Sequence, residues 1–186
     1  MSVSARLHEK YKSEIAGELA AELDLKNPMS VPKLDKIVVS MGLGATGRDK
    51  KHMEAATRDL TTITGQKPKL CRARKSVSNF KLREGYEIGL QVTLHGPRMY
   101  EFLDRLISLA IPRVRDFRGL NPQSFDGRGN YSMGLTEQTV FPEVNLDEVE
   151  FQQGMHVTVV TTAKNDADGF KLLSKFGFPF RTQPTP

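Results

Sequence analysis

The chain predicts an α+β fold, an antiparallel β-sheet with helices packed on one face and the opposite face polar. Three observations carry this reading: one strictly alternating strand, apolar stripes of helical period interleaved with strand-like segments, and apolar runs only a few residues long. In residues 86–95, Ile88, Leu90, Val92 and Leu94 alternate with Gly89, Gln91, Thr93 and His95. One side of such a strand is core and the other meets water, the usual situation of an antiparallel sheet.

The elements follow in order. Leu7, Tyr11, Ile15, Leu19 and Leu23 recur every four residues and predict an N-terminal helix ended by Asn27, Pro28 and Pro32. Residues 34–41 are rich in β-branched side chains, with Ile37, Val39 and Met41 on one face and Lys36, Val38 and Ser40 on the other. A second helix carries Met53, Ala56, Leu60 and Ile63 and stops at Gly65, with Pro68 preventing a restart. After the alternating strand, Gly96-Pro97 opens a third helix bearing Met99, Phe102, Leu103, Leu106, Ile107 and Ala110, which Pro112 stops. Residues 113–131 are basic, glycine-bearing and aperiodic, a long loop of the kind that is usually functional. Strands are expected over 133–141 and 155–161. A last helix, opened by Asn165-Asp166 and carrying Leu172, Leu173 and Phe176, ends at Gly177. Residues 1–180 are thus expected to form a single domain with a basic loop at 72–85 and the long loop at 113–131, followed by a flexible tail at 181–186.

Composition narrows the function. With 38% hydrophobic and 26% charged residues the chain is an ordinary globular protein, and no apolar run approaches the roughly 20 residues of a membrane helix. Residues 1–9 lack an apolar core with a cleavage site, so no secretory signal is expected and the location is cytoplasmic. A single cysteine, Cys71, excludes an internal disulfide and agrees with a reducing compartment. Charge is the sharper signal. Lys67, Lys69, Arg72, Arg74, Lys75, Lys81 and Arg83 fall in one stretch without an acidic residue, whereas the whole chain nets only +5. A local positive field around the apolar-tipped Ser76-Val77-Ser78-Asn79-Phe80 suits a polyanion that also offers flat bases, namely nucleic acid. The plain alternative is a solvated lysine-rich loop. Uneven spacing between Pro68 and Gly85 predicts a shaped loop rather than a helix face. Beside it, Ser40, Gln91, Thr93 and His95 would line the polar sheet face, short groups that let an RNA backbone approach closely.

Other motifs carry less. Gly42, Gly44 and Gly47 form a Gly-x-Gly-x-x-Gly between a strand and a helix, the setting of a dinucleotide fingerprint. The next segment, 66–75, has no carboxylate for a ribose, and no Gly-Lys-Ser or Gly-Lys-Thr follows Gly47, so no nucleotide cofactor and no enzyme are expected. His8, His52, His95 and His156 lack ligand spacing, and no metal is expected. Glu143, Asp147, Glu148 and Glu150 form an acidic cluster in a stretch, 129–163, free of Lys and Arg. It reads as a solvated face or as a docking patch for a basic protein.

Several long motifs appear in one order: Ile63-Thr64-Gly65-Gln66-Lys67-Pro68, Ala73-Arg74-Lys75-Ser76-Val77, Phe80-Lys81, residues 113–120 (RVRDFRGL) and residues 124–132 (SFDGRGNYS). In these the chain resembles the bacterial family of large ribosomal subunit protein five, from about Leu7 to Phe180. The resemblance implies a non-catalytic constituent of the central protuberance that holds 5S rRNA against the large-subunit, 23S-type rRNA. It implies that Ser40, Gln66, Lys67, Lys69, Arg72, Gln91, Thr93 and His95 meet rRNA. It also implies that Arg74, Lys75, Ser76, Val77, Ser78, Asn79 and Phe80 reach the elbow of the peptidyl-site tRNA. Arg113, Arg115, Arg118 and Arg128, in the long loop, would lie near an intersubunit bridge to small-subunit protein thirteen, with other 5S-associated proteins as neighbours. Ser40 stands where relatives commonly carry Asn, and His95 where Arg is common, which thins the hydrogen bonding of that face.

Overall fold

The computed structural model describes residues 5–44, 50–146, 149 and 151–181. Among them, β1 (Leu34–Gly42), β2 (Lys69–Arg72), β3 (Glu87–Leu94), β4 (Tyr131–Leu135) and β5 (Met155–Thr161) form an antiparallel sheet ordered β2-β3-β1-β5-β4. Four helices accompany it: α1 over 6–22, α2 (Lys50–Thr64), α3 from Gly96–Arg105 onward, and α4 (Asp166–Lys175). The expected α+β class is correct. Period-two patterning sets burial: Ile37, Val39, Met41, Leu90, Val92, Leu94, Val157 and Val159 are buried, and Lys36, Val38, Ser40, Gln91, Thr93, Thr158 and Val160 stay half-exposed. Each fully buried aliphatic side chain favours this arrangement by about 1.5–3 kcal/mol.

The chain divides into two compact units, Met1–Ile37, His95–Met133 and Thr158–Pro186 in the first, Val38–Leu94 and Gly134–Val157 in the second. In the first, α1 buries Leu7, Ile15 and Leu19 and has a π-helical middle turn, Tyr11–Ile15. It stops at Glu22, before the expected terminators, because Asp24 turns left-handed at φ 49°, a conformation Asp tolerates better than most residues. Asn27 instead accepts the Met29 N–H at 2.9 Å and opens a short 3-10 turn, Pro28–Ser30. The Arg6 guanidinium donates to Asp104 of α3 (Nε to Oδ2, 3.1 Å), His8 stacks on Tyr100 at 4.8 Å, and Lys175 of α4 donates to Glu18 at 2.7 Å. Burial pushes the Tyr100 hydroxyl up to about 12. α3 continues through a π turn, Leu106–Ala110, and a 3-10 turn, Ile111–Arg113, in which Pro112 supplies no N–H for further helix.

In the second unit α2 buries Met53, Ala56, Leu60 and Ile63, packs against β3, and ends at Gly65 with φ 67°. Two expectations need correction here. Residues 69–72, read as part of a basic loop, are strand β2, paired with β3 at Lys69↔Gln91, Leu70↔Leu90 and Cys71↔Gly89. Its charges sit on a short edge strand, where they discourage pairing with another chain and mask the alternation. The strand expected over 133–141 runs only over Tyr131–Leu135, and Gln138–Val140 is a 3-10 turn. Buried Gln138 explains the break: its amide donates to the Phe151 carbonyl and accepts the Gln153 N–H at 2.6 Å, which demands a compact turn. Gly89 is required at its place, because a Cβ there would lie 2.6 Å from the Met41 carbonyl oxygen.

Candidate nucleic-acid interface

The β2–β3 register puts residues directly opposite each other on the same face, so Lys69 lies beside Gln91, with Thr93 two residues along. Cys71 shares that face, its Sγ 3.9 Å from Gln91 Oε1. Gln66 joins them from the turn after α2. Its Nε2 donates to the Thr93 carbonyl at 3.4 Å, and its backbone N–H donates to the buried Thr64 hydroxyl at 3.3 Å, whose own hydrogen goes to the Leu60 carbonyl at 2.7 Å. One of the two Nε2 hydrogens is thus spent on positioning the side chain. Lys67, Lys69 and Arg72 are exposed around this group. Arg72 pairs loosely with Glu87 at 3.5 Å, an exposed ion pair that costs little to open. Among the described residues, no ion pair engages Lys67, Lys69, Arg74, Lys75 or Arg83. Ser40 on β1 is half-buried, and exposed His95 is the residue capping the start of α3, its side chain making no cap hydrogen bond.

The stretch from Arg74 to Phe80 is a narrow hairpin arm. At its root, buried Ala73 donates to the Tyr86 carbonyl at 2.8 Å and accepts from the Gly85 N–H at 3.0 Å. Further out, Val77 and Leu82 exchange two backbone hydrogen bonds at 2.9 and 3.0 Å, and Ser76 Oγ accepts the Glu84 N–H at 2.9 Å. A 3-10 turn, Ser78–Phe80, forms the tip, followed by left-handed Lys81 at φ 51°. Phe80 is 76% exposed, and Arg74, Lys75, Ser76, Val77, Ser78 and Asn79 are exposed with it. The arm's order comes from pairing across the turn, which linear periodicity does not display.

In the first unit, the segment between α3 and β4 is irregular but firmly held. Leu120 donates to Pro179 at 2.8 Å and Arg181 returns to Leu120 at 2.9 Å, so Arg181, expected to begin a flexible tail, is fixed. The rest of that tail, 182–186, lies outside the described residues. Asp126 accepts from the Arg128 N–H at 2.8 Å and from the Asn130 N–H and side chain at 3.1 and 2.7 Å. The Asn130 side chain first, and the Arg128 N–H next, hold the Asp126 carboxyl below its ordinary value. Asp166, at the start of α4, accepts the N–H groups of Gly127 and Gly129 at 3.1 and 2.9 Å. Gly129 has φ 75° and a Cβ there would stand 2.7 Å from Ala163 Cβ, so only glycine fits. These contacts make a rigid knuckle that presents exposed Arg128, and Arg113, Arg115 and Arg118 are exposed as well.

The glycine turn gives no phosphate cradle at its described positions. The Leu43 and Gly44 N–H groups both donate to the Ile88 carbonyl, at 2.9 and 3.2 Å, and Gly47 lies outside the described residues. Of the acidic cluster, Glu143 is half-buried, whereas Asp147, Glu148 and Glu150 lie outside the described residues.

Comparison with known proteins defines what carries this surface. A family model described as ribosomal protein L5 matches residues 27–83, and a second, described as the C-terminus of that ribosomal family, matches residues 87–180. The class is therefore a structural, rRNA-binding constituent of the large ribosomal subunit, not an enzyme. The chain belongs to the ribosomal protein L5 family. It is 58% identical over 180 residues to the large ribosomal subunit protein uL5 of Streptomyces coelicolor, covering 97% of each chain. It is 56% identical over 179 residues to that of an Anaeromyxobacter species, covering 96% of this chain and 99% of the relative. With that of Leifsonia xyli it shares 57% identity over 180 residues, 97% of this chain and 92% of the relative. Membership carries the cytoplasmic, ribosomal location with it, and no described helix is long and apolar enough to cross a membrane.

Proposed function

We propose that this protein anchors 5S rRNA in the central protuberance, using the face of β3 that carries Gln91 and Thr93, the side-chain amide of Gln66, and the cations Lys67, Lys69 and Arg72. One observation carries the reading: Lys69 lies opposite Gln91 on one side of the β2–β3 pair, with Thr93 two residues along, and among the described residues no ion pair engages Lys67 or Lys69. Short donors and acceptors read 2'-hydroxyls and phosphates, and lysines just beyond them supply counterion release. Ser40 and His95 are the weaker members of the proposed RNA-binding set, Ser with one hydroxyl and neutral His without a guanidinium fork. Large-subunit rRNA is the second RNA partner. The arm from Arg74 to Phe80 meets the peptidyl-site tRNA, where exposed Phe80 offers a stacking surface and Arg74 and Lys75 offer phosphate contacts. The knuckle with Arg128, together with Arg113, Arg115 and Arg118, contributes to an intersubunit bridge near small-subunit protein thirteen, with other 5S-associated proteins adjacent.

The test is a division of labour in 5S rRNA binding. Gln66→Ala with Thr93→Ala weakens binding and leaves its salt dependence in place. Arg74→Ala with Lys75→Ala leaves the affinity for isolated 5S rRNA unchanged and lowers retention of peptidyl-site tRNA on ribosomes. Equal losses of 5S rRNA affinity from both pairs would contradict the assignment.

A further inference from the structure

A groove of about 1830 Å³ opens between the N-terminal half of α2 and the arm, wholly within the second unit. Its volume exceeds the roughly 300–1,000 Å³ of small-molecule sites, so it suits a stretch of macromolecule. Leu70, Leu82 and Tyr86 supply its apolar lining, Leu70 being 40% and Tyr86 39% exposed. Leu70 pairs with Leu90, whereas Lys69 pairs with Gln91, so by alternation the groove opens on the face opposite the RNA-facing residues. Nothing in the RNA reading uses an exposed leucine in a cationic edge strand. The walls carry both signs: Glu54 and Glu84 stand among Lys50, Arg58, Lys81 and Arg83. Glu87, which also pairs with Arg72 at 3.5 Å, adds a third carboxylate. A phosphate backbone laid here would meet those carboxylates, whereas a polypeptide can answer both signs. Both walls are built beforehand, one by a helix and the other by the Val77–Leu82 pair and the Ser76–Glu84 hydrogen bond.

We infer that this groove receives a polypeptide segment of a neighbouring protein in the large subunit. The segment inserts an aliphatic or aromatic side chain over Leu70 and Tyr86, with a Lys or Arg beside it for Glu54 and Glu84. Tyr is a favoured anchor residue in such pockets. The inference rests on membership in the ribosome and not on the proposed 5S rRNA contacts, so either can fail without the other.

The experiment places a photo-crosslinker, Leu70→p-benzoylphenylalanine, in the full chain, assembles it into large subunits, irradiates them and sequences the adducts. Thr62, exposed on α2 and not among the groove residues, is the control position. The expected product joins Leu70, and not Thr62, to one peptide of another protein carrying an apolar residue near a Lys or Arg. Adding Glu54→Lys and Glu84→Lys lowers its yield roughly five- to tenfold, the loss of two rim ion pairs. Adducts to RNA, to this chain's own arm or to a second copy, or no adduct from subunits that contain the variant, would overturn the inference. A yield that rises on charge reversal would do the same, since that marks a phosphate ligand. Tyr86→p-benzoylphenylalanine probes the same groove should the Leu70 variant not enter subunits.

Discussion

The most decisive perturbation removes the three cations in and just before β2, as Lys67→Ala, Lys69→Ala and Arg72→Ala together, and measures 5S rRNA affinity against salt. If each neutralises one phosphate, counterion release gives about 0.7–0.9 of a logarithmic unit per contact, hence a slope of about −2 to −3 from this cluster. Between about 50 and 200 mM salt that slope alone lowers affinity roughly 20- to 40-fold. All seven cations of the 67–83 stretch acting on one RNA would instead give a fall of about 10³- to 10⁴-fold. The structure favours the smaller figure, because Arg74, Lys75, Lys81 and Arg83 belong to a separate hairpin arm. Arg72 adds its full share only if it leaves Glu87, and if it stays the cluster counts as two contacts. The assay is filter binding at five or more salt concentrations, with folding checked by circular dichroism. The triple variant should flatten the slope by about 2 to 3. An unchanged slope, or an equal flattening from Arg74→Ala with Lys75→Ala, would refute the assignment of phosphate contacts to β2.

Three further outcomes follow from geometry. Gly89→Ala forces a methyl group to within 2.6 Å of the Met41 carbonyl, so it should destabilise the second unit by about 1–3 kcal/mol in urea unfolding, while Gly42→Ala, with nothing within 4 Å of its Cβ, should cost far less. The Asp126 carboxyl is held below its ordinary value of 3.8, so its hydrogen bonds stabilise the knuckle fully above that value and are lost as pH falls through the lower folded value. Hydrogen exchange at the Arg128 and Asn130 amides should therefore stay slow near neutrality, relative to Asp126→Ala, and lose that difference in acid. Phe80→Ala removes a side chain that is 76% exposed, so the thermal midpoint should stay within the error of a surface change while tRNA retention on ribosomes falls. A large drop in the midpoint would show that the ring packs in the fold instead.

What the sequence alone determined is whatever repeats locally. The alternation of Ile88, Leu90, Val92 and Leu94, the stripe of α2 and its stop at Gly65, and the Asn165 cap of α4, which accepts the Asp168 N–H at 3.3 Å, are all legible because each signal lies within a few residues. The concentration of charge at 67–83 was equally plain, and so was its preference for a polyanion. Tertiary structure decided how that charge is divided. Pairing with β3 turned residues 69–72 into a strand, put Lys69 beside Gln91 and sent Leu70 to the other face. Cross-turn bonds between Val77 and Leu82 separated the arm from it, and Asp166, 37 residues from Gly129, fixed the knuckle. The β2–β3 and Asp166 contacts join residues distant in the chain, the arm's bonds cross a short turn, and all depend on which backbone groups remain unpaired after folding, a quantity that no local period records.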